Sequence, residues 1–566
     1  MRSVLTCRAS WLLSLALSWS SLSVAWSAPP QDTSQPAPSK PNATAPKDAE
    51  AALQHALELE RKRNWSAAIH AYDEALEQWP SRVDFTHRRR LCETHYKLSR
   101  RYQDQSFRNV LLKLPRDKAL ALYDELVERI ETHYVDPVSI EPLVRRGLDN
   151  LEVALRDPEF LRINGVGTAS ADQINKLREE LRWRRYGLYV TDRTVAKSEV
   201  LAVCDLAGQT LRLAPAPVIL EFAFAACDML DDYTSYLTPD KLDDLYAMID
   251  GNFVGLGIEL KLDKEGLRLV GVIRRGPAWE SGLKVGDQIV KVGGQSVKGL
   301  SLDEAAGKLQ GAEGTSIDLT ILRADGSKAD YRIARRHVEV ESVAQAKIID
   351  SANGIGYVQL TGFQKNSTEE LEKAISQLRR EGMRSLVLDL RGNPGGLLNV
   401  AVEIAERFID KGVIVSTRGR ATGQTQVYRA QARAYWTMPV TVLIDHDSAS
   451  ASEILAGALK DHNRATIVGQ RSYGKGSVQS IFSLRAAPAG LKLTTAKFYS
   501  PKNRPYSEQG VDPDVLVRLD AKPAASEEGA AGEPAPANEQ VFGDPQHDQV
   551  LDQALVHVKR RLNVVR

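Results

Sequence analysis

Ser450 and Lys475 are residue types from which a hydrolytic site can be built without a metal or a cofactor. They lie in the stretches DSASASE (447–453) and GQRSYGKGSVQ (469–479). A lysine amine kept neutral can take the proton of a serine hydroxyl, and the resulting alkoxide can attack a carbonyl carbon. An ordinary lysine has a pKa of about 10.4, so roughly one in 2,500 is neutral at pH 7. A base working near neutrality needs that value lowered by about 3, roughly 4 kcal/mol of desolvation. Tyr473, Gly474 and Gly476 bring no carboxylate beside Lys475, and an apolar strand follows. Gln479 stands one helical turn's spacing further on, where its amide can orient an amine without charging it.

Each segment also has a plainer reading. Ser450 precedes helix-forming residues, so its hydroxyl lies near free backbone N–H groups and the positive end of a dipole. Yet Ser450-Ala-Ser-Glu453 is itself a capping box, and alone the segment reads more readily as a cap. Lys475 alone reads as a surface lysine in a glycine turn. Gly392-Asn-Pro-Gly-Gly396 ends a strand and opens a helix, so its amides point where an anion can sit; a structural turn is the alternative. Gly469 through Gly474-Lys475 has phosphate-loop spacing, but Gly476 replaces the required hydroxyl and a strand follows, which argues against a nucleotide site. His446, flanked by Asp445 and Asp447, reads as a loop residue rather than a triad member. The 10 histidines show no metal-ligand spacing, so neither a metal nor a cofactor is expected.

A chain of 566 residues exceeds one core. With 43% hydrophobic and 26% charged residues it has ordinary globular composition. Seventy-four basic against 73 acidic residues leave +1, and aromatics are only 6%, so no nucleic-acid partner is expected. Arg2 and Arg8, an apolar run between Trp11 and Trp26, and small residues at Ala25, Ser27 and Ala28 form an export pattern. The run suits a signal peptide (1–27) cleaved after Ser27 better than a stable membrane span. Cys7 lies too early for lipid attachment. Cys92, Cys204 and Cys227 sit among apolar neighbours and read as small buried hydrophobes rather than a disulfide framework.

The expected organisation follows from changes of period. Residues 28–48 are a Pro/Ser/Thr/Ala-rich linker. Segment 49–115 is helical, with Ala52, Ala56, Ala68, Tyr72, Ala75 and Pro80 where a tetratricopeptide repeat has its small, aromatic and terminating residues; a plain helical spacer is the alternative. Segment 116–250 is also helical, its charged stretch near Leu177–Arg185 reading as an insertion or exposed helix. Strands and turns begin at Gly251 and run to 337, with a helix from Leu302 capped by Ser301 and Glu304. Segment 338–520 alternates buried apolar strands with amphipathic helices: strands at Ile355–Leu360, Ser385–Leu390 and Val440–Ile444, helices at Ser367–Arg380, Leu397–Ile409 and Ser452–Asp461. That is an α/β core. A second linker is expected at 521–545 and a terminal helix at 546–566.

Taken together the segments resemble the C-terminal processing (tail-specific) serine peptidase family with a PDZ domain. The resemblance runs from about Leu120 to Val517 around an insertion near 151–217. It rests on YVDP (134–137), DDYTSYLTPDKL (231–242), GLGI (255–258), GYVQLTGF (356–363), LVLDLRGNPGGLL (386–398), SASASEI (448–454), RATIVGQRSYGKGSVQ (464–479) and GVDPDV (510–515). It implies a multidomain α/β protein: a crotonase-like peptidase core with a helical N-terminal part and an inserted PDZ β-domain, preceded by the tetratricopeptide-like segment. It implies Ser450 as nucleophile, Lys475 as general base positioned by Gln479, and the amides of Gly396 and Ala451 as oxyanion donors. The PDZ carboxylate-binding loop would fall on Gly255, Leu256, Gly257 and Ile258. Two departures stand out: Asp445-His-Asp447 where relatives often carry Asn and Gly, and Ser281 where alanine is usual.

The expected function is an exported serine endopeptidase of the periplasm or cell envelope, acting on unfolded or tail-bearing protein substrates. The helical head would serve an adaptor or self-association. The alternative is a catalytically silent PDZ/helical-repeat scaffold that only binds peptides.

Overall fold

The computed structural model describes residues 14–16, 48–263, 266–298, 300, 302–323, 325–431, 434–518 and 542–564. The expected signal peptide, apart from 14–16, and the Ser301 cap lie outside the described residues. These residues form two compact units, one comprising 48–242 and 482–493, the other 243–481 and 494–564.

In the first unit, helices Ala49–Arg61, Trp65–Gln78 and Val83–Gln103 pack through Ala52, Ala56, Ala68, Tyr72, Ala75 and Phe85, all buried. Alanine at facing positions lets helices approach closely, and Tyr72 fills the remaining space. A larger core joins helices Arg116–His133, Ile140–Ala154, Arg193–Leu211 and Pro215–Asp228, with Phe482, Leu484, Leu491 and Leu493 against it. The helix Ala171–Tyr186 carries the charged stretch; it buries Leu177 and Leu181, leaving Trp183 and Tyr186 exposed. Cys92, Cys204 and Cys227 are buried free thiols. No helix among the described residues is long and apolar enough to cross a membrane.

The second unit holds a mostly parallel sheet that matters here and a small β-domain. That sheet runs in the order Val343–Asp350, Ile355–Leu360, Ser385–Asp389, Val440–Ile444, Ala465–Gly469, Val515–Leu516; all neighbours are parallel except the first pair. Ile355–Leu360, Ser385–Asp389 and Val440–Ile444 are buried throughout, which is why they read as unbroken apolar runs. Helices Ser367–Arg380, Leu398–Phe408 and Ala451–Asp461 connect these strands. The terminal helix Gln549–Val564 returns to the sheet, packing Val550, Leu551, Ala554, Leu555 and Val558 with Ile355, Tyr357, Val387, Leu443 and Val468. Phe542 and Gly543, inside the stretch expected as linker, already pack on Arg391 and Tyr357.

The small domain is a sheet ordered Ile258–Asp263, Gly266–Val272, Gln288–Val292, Ser316–Leu322, Lys328–Ala334, closed over Leu267, Leu269, Ile289, Leu319 and Ile321. Its entry and exit strands, Asn252–Gly255 and Arg336–Glu339, pair antiparallel with each other. An insertion tied this way leaves the parent fold and returns to it at one place.

Candidate active site

Strand Val440–Ile444 delivers the chain to Asp445, and three turns of hydrogen bonding then shape the approach to Ser450. Asp445 Oδ1 accepts from the N–H groups of Asp447 (3.1 Å) and Ser448 (3.0 Å). The Ser448 hydroxyl donates to the Leu390 carbonyl at 2.8 Å, fixing this loop to the end of the neighbouring strand. Ser450 then adopts φ +58° and ψ −112°. Non-glycine residues avoid that conformation, which costs on the order of 1–3 kcal/mol and persists only where the surroundings impose it.

Only half of the expected capping box forms. Glu453 accepts from the Ser450 N–H at 2.7 Å, but the Ser450 hydroxyl is buried and has no hydrogen-bond partner. A cap would spend that hydroxyl on the helix; here it is left for another task.

Glu453 does more than cap. Its carboxylate is fully buried and accepts from four donors: the N–H groups of Ser450 and Lys475 on one oxygen (2.7 and 2.9 Å), and the Ser472 hydroxyl and Gly474 N–H on the other (2.6 and 2.7 Å). Ser450 and Lys475 therefore meet, backbone to backbone, across a single oxygen atom. Burial pushes the Glu453 carboxyl up to about 7, although its four donors pull the other way. The Tyr473 N–H donates to the Ser448 carbonyl at 3.1 Å, adding a second tie between the loops.

Lys475 is not a surface residue: it is 1% exposed. Gly474, at φ +91°, and Gly476, where a side chain would strike Ser507, let the turn pass close under the segment 507–508. The following strand, Ser477–Leu484, carries Gln479, fully buried, whose amide nitrogen donates to Ser477 (3.0 Å) and Thr494 (3.3 Å). The Gln479 carbonyl oxygen, like the Ser450 hydroxyl, is buried with no hydrogen-bond partner.

The glycine loop faces the serine. Gly395, at φ +105°, comes so close that a methyl group on it would lie 2.8 Å from Ser450 Cβ and 2.9 Å from the Ala451 nitrogen. Gly396, at φ +145°, backs onto Phe363, whose carbonyl a side chain would strike. Asn393 braces the loop, donating to the Leu360 carbonyl (2.7 Å) and accepting from the Gly395 N–H (2.9 Å), while its own carbonyl accepts from Ala449 N–H (3.1 Å) and the Ser452 hydroxyl (2.8 Å). Gly392 N–H donates to Asp445 at 3.0 Å. Thus Ser450 and Lys475 are tied through Glu453, and the glycine loop that ends at Gly396 packs through Gly395 on Ser450 and Ala451, while Gln479 bonds to Ser477 and Thr494. His446 is exposed and pairs with Asp447 at 3.4 Å, as a loop residue does.

Sequence reasoning missed three carboxylates. Glu453 was legible only as a cap, Asp445 only as a flank of His446, and Asp389 as a strand residue. Their function is tertiary, and the one signal for Glu453 was a charged residue among apolar helix neighbours.

In the small domain, Gly255 ends one strand and Ile258 begins the next. Leu256 is buried and Gly257 has φ +73°. Their carbonyls accept from Ala278 N–H (2.9 Å) and Ile273 N–H (2.8 Å), fixing the turn's orientation.

Comparison with known proteins agrees with this architecture. Residues 354–517 match Peptidase family S41, and 269–323 match the PDZ domain. The chain is 40% identical over 296 residues to a carboxy-terminal-processing protease of Bartonella bacilliformis, spanning 51% of this chain and 67% of the relative. It is 36% identical over 293 residues to a carboxyl-terminal-processing protease of Synechocystis, spanning 51% and 68%. A solved photosystem II D1 C-terminal processing protease is 26% identical, covering 70% of this chain and 92% of its own, with a TM-score of 0.38. The chain belongs to peptidase family S41 and is a serine endopeptidase of the carboxyl-terminal-processing type with a PDZ domain.

Proposed function

We propose that this endopeptidase is exported to the periplasm or cell envelope, captures protein C-termini through its PDZ domain and cleaves by a Ser450–Lys475 dyad. The carrying observation is the shared Glu453 oxygen, which holds the Ser450 and Lys475 backbones together while the serine hydroxyl is unpartnered and the lysine is out of water. In this reading the neutral Lys475 amine takes the hydroxyl proton as Ser450 Oγ bonds to the scissile carbonyl carbon. The oxygen of the tetrahedral intermediate takes the negative charge and is met by the amides of Gly396 and Ala451, each such donor contributing roughly 3–4 kcal/mol. Lys475 returns the proton to the leaving amine as the C–N bond breaks. Water then releases the acyl group by the same path in reverse, and Gln479 positions the amine.

Backbone amides of Gly255–Ile258 would receive a terminal carboxylate while the tail adds as a strand, the usual geometry of PDZ recognition. Tethering capture to cleavage raises the effective concentration of any chain with a free, unfolded end. The sheet with connecting helices supports a crotonase-like core. The buried small and aromatic positions of the first helices support a tetratricopeptide-like head that recruits an adaptor or a second copy. Export rests on the N-terminal charge and apolar pattern.

Purified wild type, Ser450→Ala and Lys475→Ala should be incubated with an unfolded, tail-bearing protein and followed by mass spectrometry. Wild type is expected to cleave, and both variants to stay folded and inactive. Cleavage by either variant would remove the dyad.

A further inference from the structure

The glycine loop is held from its N-terminal side by Arg391, and Arg391 is held from a distant part of the chain. The guanidinium is 5% exposed and lies between two buried carboxylates. Asp389 accepts from Nε at 3.0 Å and from one terminal nitrogen at 2.6 Å. Asp548 accepts from both terminal nitrogens, at 2.8 and 2.5 Å. Tyr357 donates its hydroxyl to Asp389 at 2.8 Å, and the Phe542 ring lies against the guanidinium with its centroid 4.4 Å away. Burial works against the Arg391 charge, but its bonds to Asp548 and Asp389 leave it well above the ordinary value.

Asp548 is itself built into place. It caps the terminal helix by accepting from Leu551 N–H (3.0 Å), and it also accepts from Gly543 N–H (3.2 Å). The helix behind it buries its apolar face on the sheet. Resting on the proposed cleavage chemistry, we infer that Asp548 is a positioning residue for the glycine loop, so that peptide hydrolysis depends on the Asp548–Arg391 bonds that the C-terminal segment supplies.

The physical reason is hydrogen-bond accounting around a planar cation. Without Asp548, one terminal nitrogen of Arg391 loses its bond in a place without water, and the other keeps only Asp389. A buried charge that loses one partner does not stay where it was. Arg391 is bonded directly to Gly392, and the loop that begins there runs through Gly395, packed on Ser450 and Ala451, to Gly396. A rotation of Arg391 therefore reaches the oxyanion donors while leaving the PDZ loop and the serine–lysine junction alone.

The test compares three substitutions in the full chain. Asp548→Asn removes the charge at Arg391. Asp548→Glu keeps the charge but displaces it. Leu555→Ala weakens the same helix without touching Arg391. Cleavage of a tail-bearing unfolded substrate is measured at a temperature where circular dichroism shows each variant folded. Asp548→Asn is expected to lower kcat about 10- to 100-fold with KM within about twofold, since misplacement of about 1 Å costs that much. Asp548→Glu is expected to recover part of the loss, and Leu555→Ala to lower Tm but keep kcat. Wild-type kcat in Asp548→Asn, or an equal loss in Leu555→Ala, overturns the inference. Should Asp548→Asn fail to fold, a folded Asp548→Glu with wild-type kcat overturns it, and one with reduced kcat at unchanged KM supports it. Equal cleavage by wild type and Ser450→Ala would instead remove the dyad reading on which this rests.

Discussion

The serine–lysine junction and the glycine loop facing it are anchored over very different distances along the chain. Glu453 reaches Ser450 across 3 positions and Lys475 across 22, so that side of the site is assembled within one continuous stretch. The glycine loop is tied to Asp445 across 53 positions and, through Arg391, to Asp548 across 157. The proposed nucleophile and base are thus organised locally, by one carboxylate with four donors. The proposed charge-stabilising side depends on residues far from it along the chain. A perturbation of the first should slow chemistry by about 100-fold or more, and one of the second by less.

Glu453→Gln tests the local side and should have the largest effect. An amide offers one acceptor oxygen where the carboxylate offered two, and its NH₂ would face two donors. We expect kcat to fall about 100-fold as the Ser450 and Lys475 backbones separate. The wild type should also carry a pH signature. The Glu453 carboxyl is raised from 4.5 to about 7, so the unfolded chain releases this proton at lower pH than the folded one. Its contribution to stability is therefore fully present below 4.5 and lost as pH rises through about 7, a change of about 3 kcal/mol. Tm against pH should show that decline in the wild type and lack it in the variant. A Glu453→Gln enzyme with near-wild-type kcat would mean the local anchor is dispensable.

Asp445 tests the distal side with a graded pair. Asp445→Asn keeps one oxygen, and Oδ1 alone already accepts from Gly392, Asp447 and Ser448, so kcat should stay within about threefold. Asp445→Ala removes all of these bonds and should lower kcat about tenfold, because the glycine loop loses one of its tethers. Steady-state kinetics on one peptide substrate separates the two outcomes. A loss as large as that of Glu453→Gln would erase the contrast between the anchors.

How much of this was legible beforehand follows the same division. The core strands could be read directly because each is apolar on both faces, and the helix Ser367–Arg380 because Leu371, Ala374, Ile375 and Leu378 share one side. Ser450 is ambiguous for a physical reason: its segment carries a real capping signal, and only the structure shows its hydroxyl without a hydrogen-bond partner at a backbone of φ +58°. Lys475 looked like a surface residue because its local neighbours are small; what covers it comes from elsewhere in the fold. The tail reads from sequence only as a short terminal helix after a linker, since nothing in a 20-residue window reveals that Asp548 finds Arg391. Charges buried by tertiary contact leave no periodic trace.

The PDZ loop provides the sharpest control on both anchors. Gly257 sits at φ +73°, where a side chain costs roughly 1–2 kcal/mol, and a methyl group there would meet Gly276 Cα at 3.3 Å and Val338 Cγ1 at 3.4 Å. Gly257→Ala should therefore reshape the turn that is proposed to receive a terminal carboxylate, without unfolding a domain whose core lies at Leu267, Leu269 and Ile289. For a tail-bearing protein KM is expected to rise by at most about tenfold, the equivalent of 1.4 kcal/mol. For a short peptide that does not reach the PDZ loop, neither kcat nor KM should move, whereas Glu453→Gln and Asp445→Ala should slow both substrates alike. Loss of kcat on the short peptide in Gly257→Ala would show that the loop acts on the catalytic side as well, and capture and cleavage would then have to be treated as one coupled site.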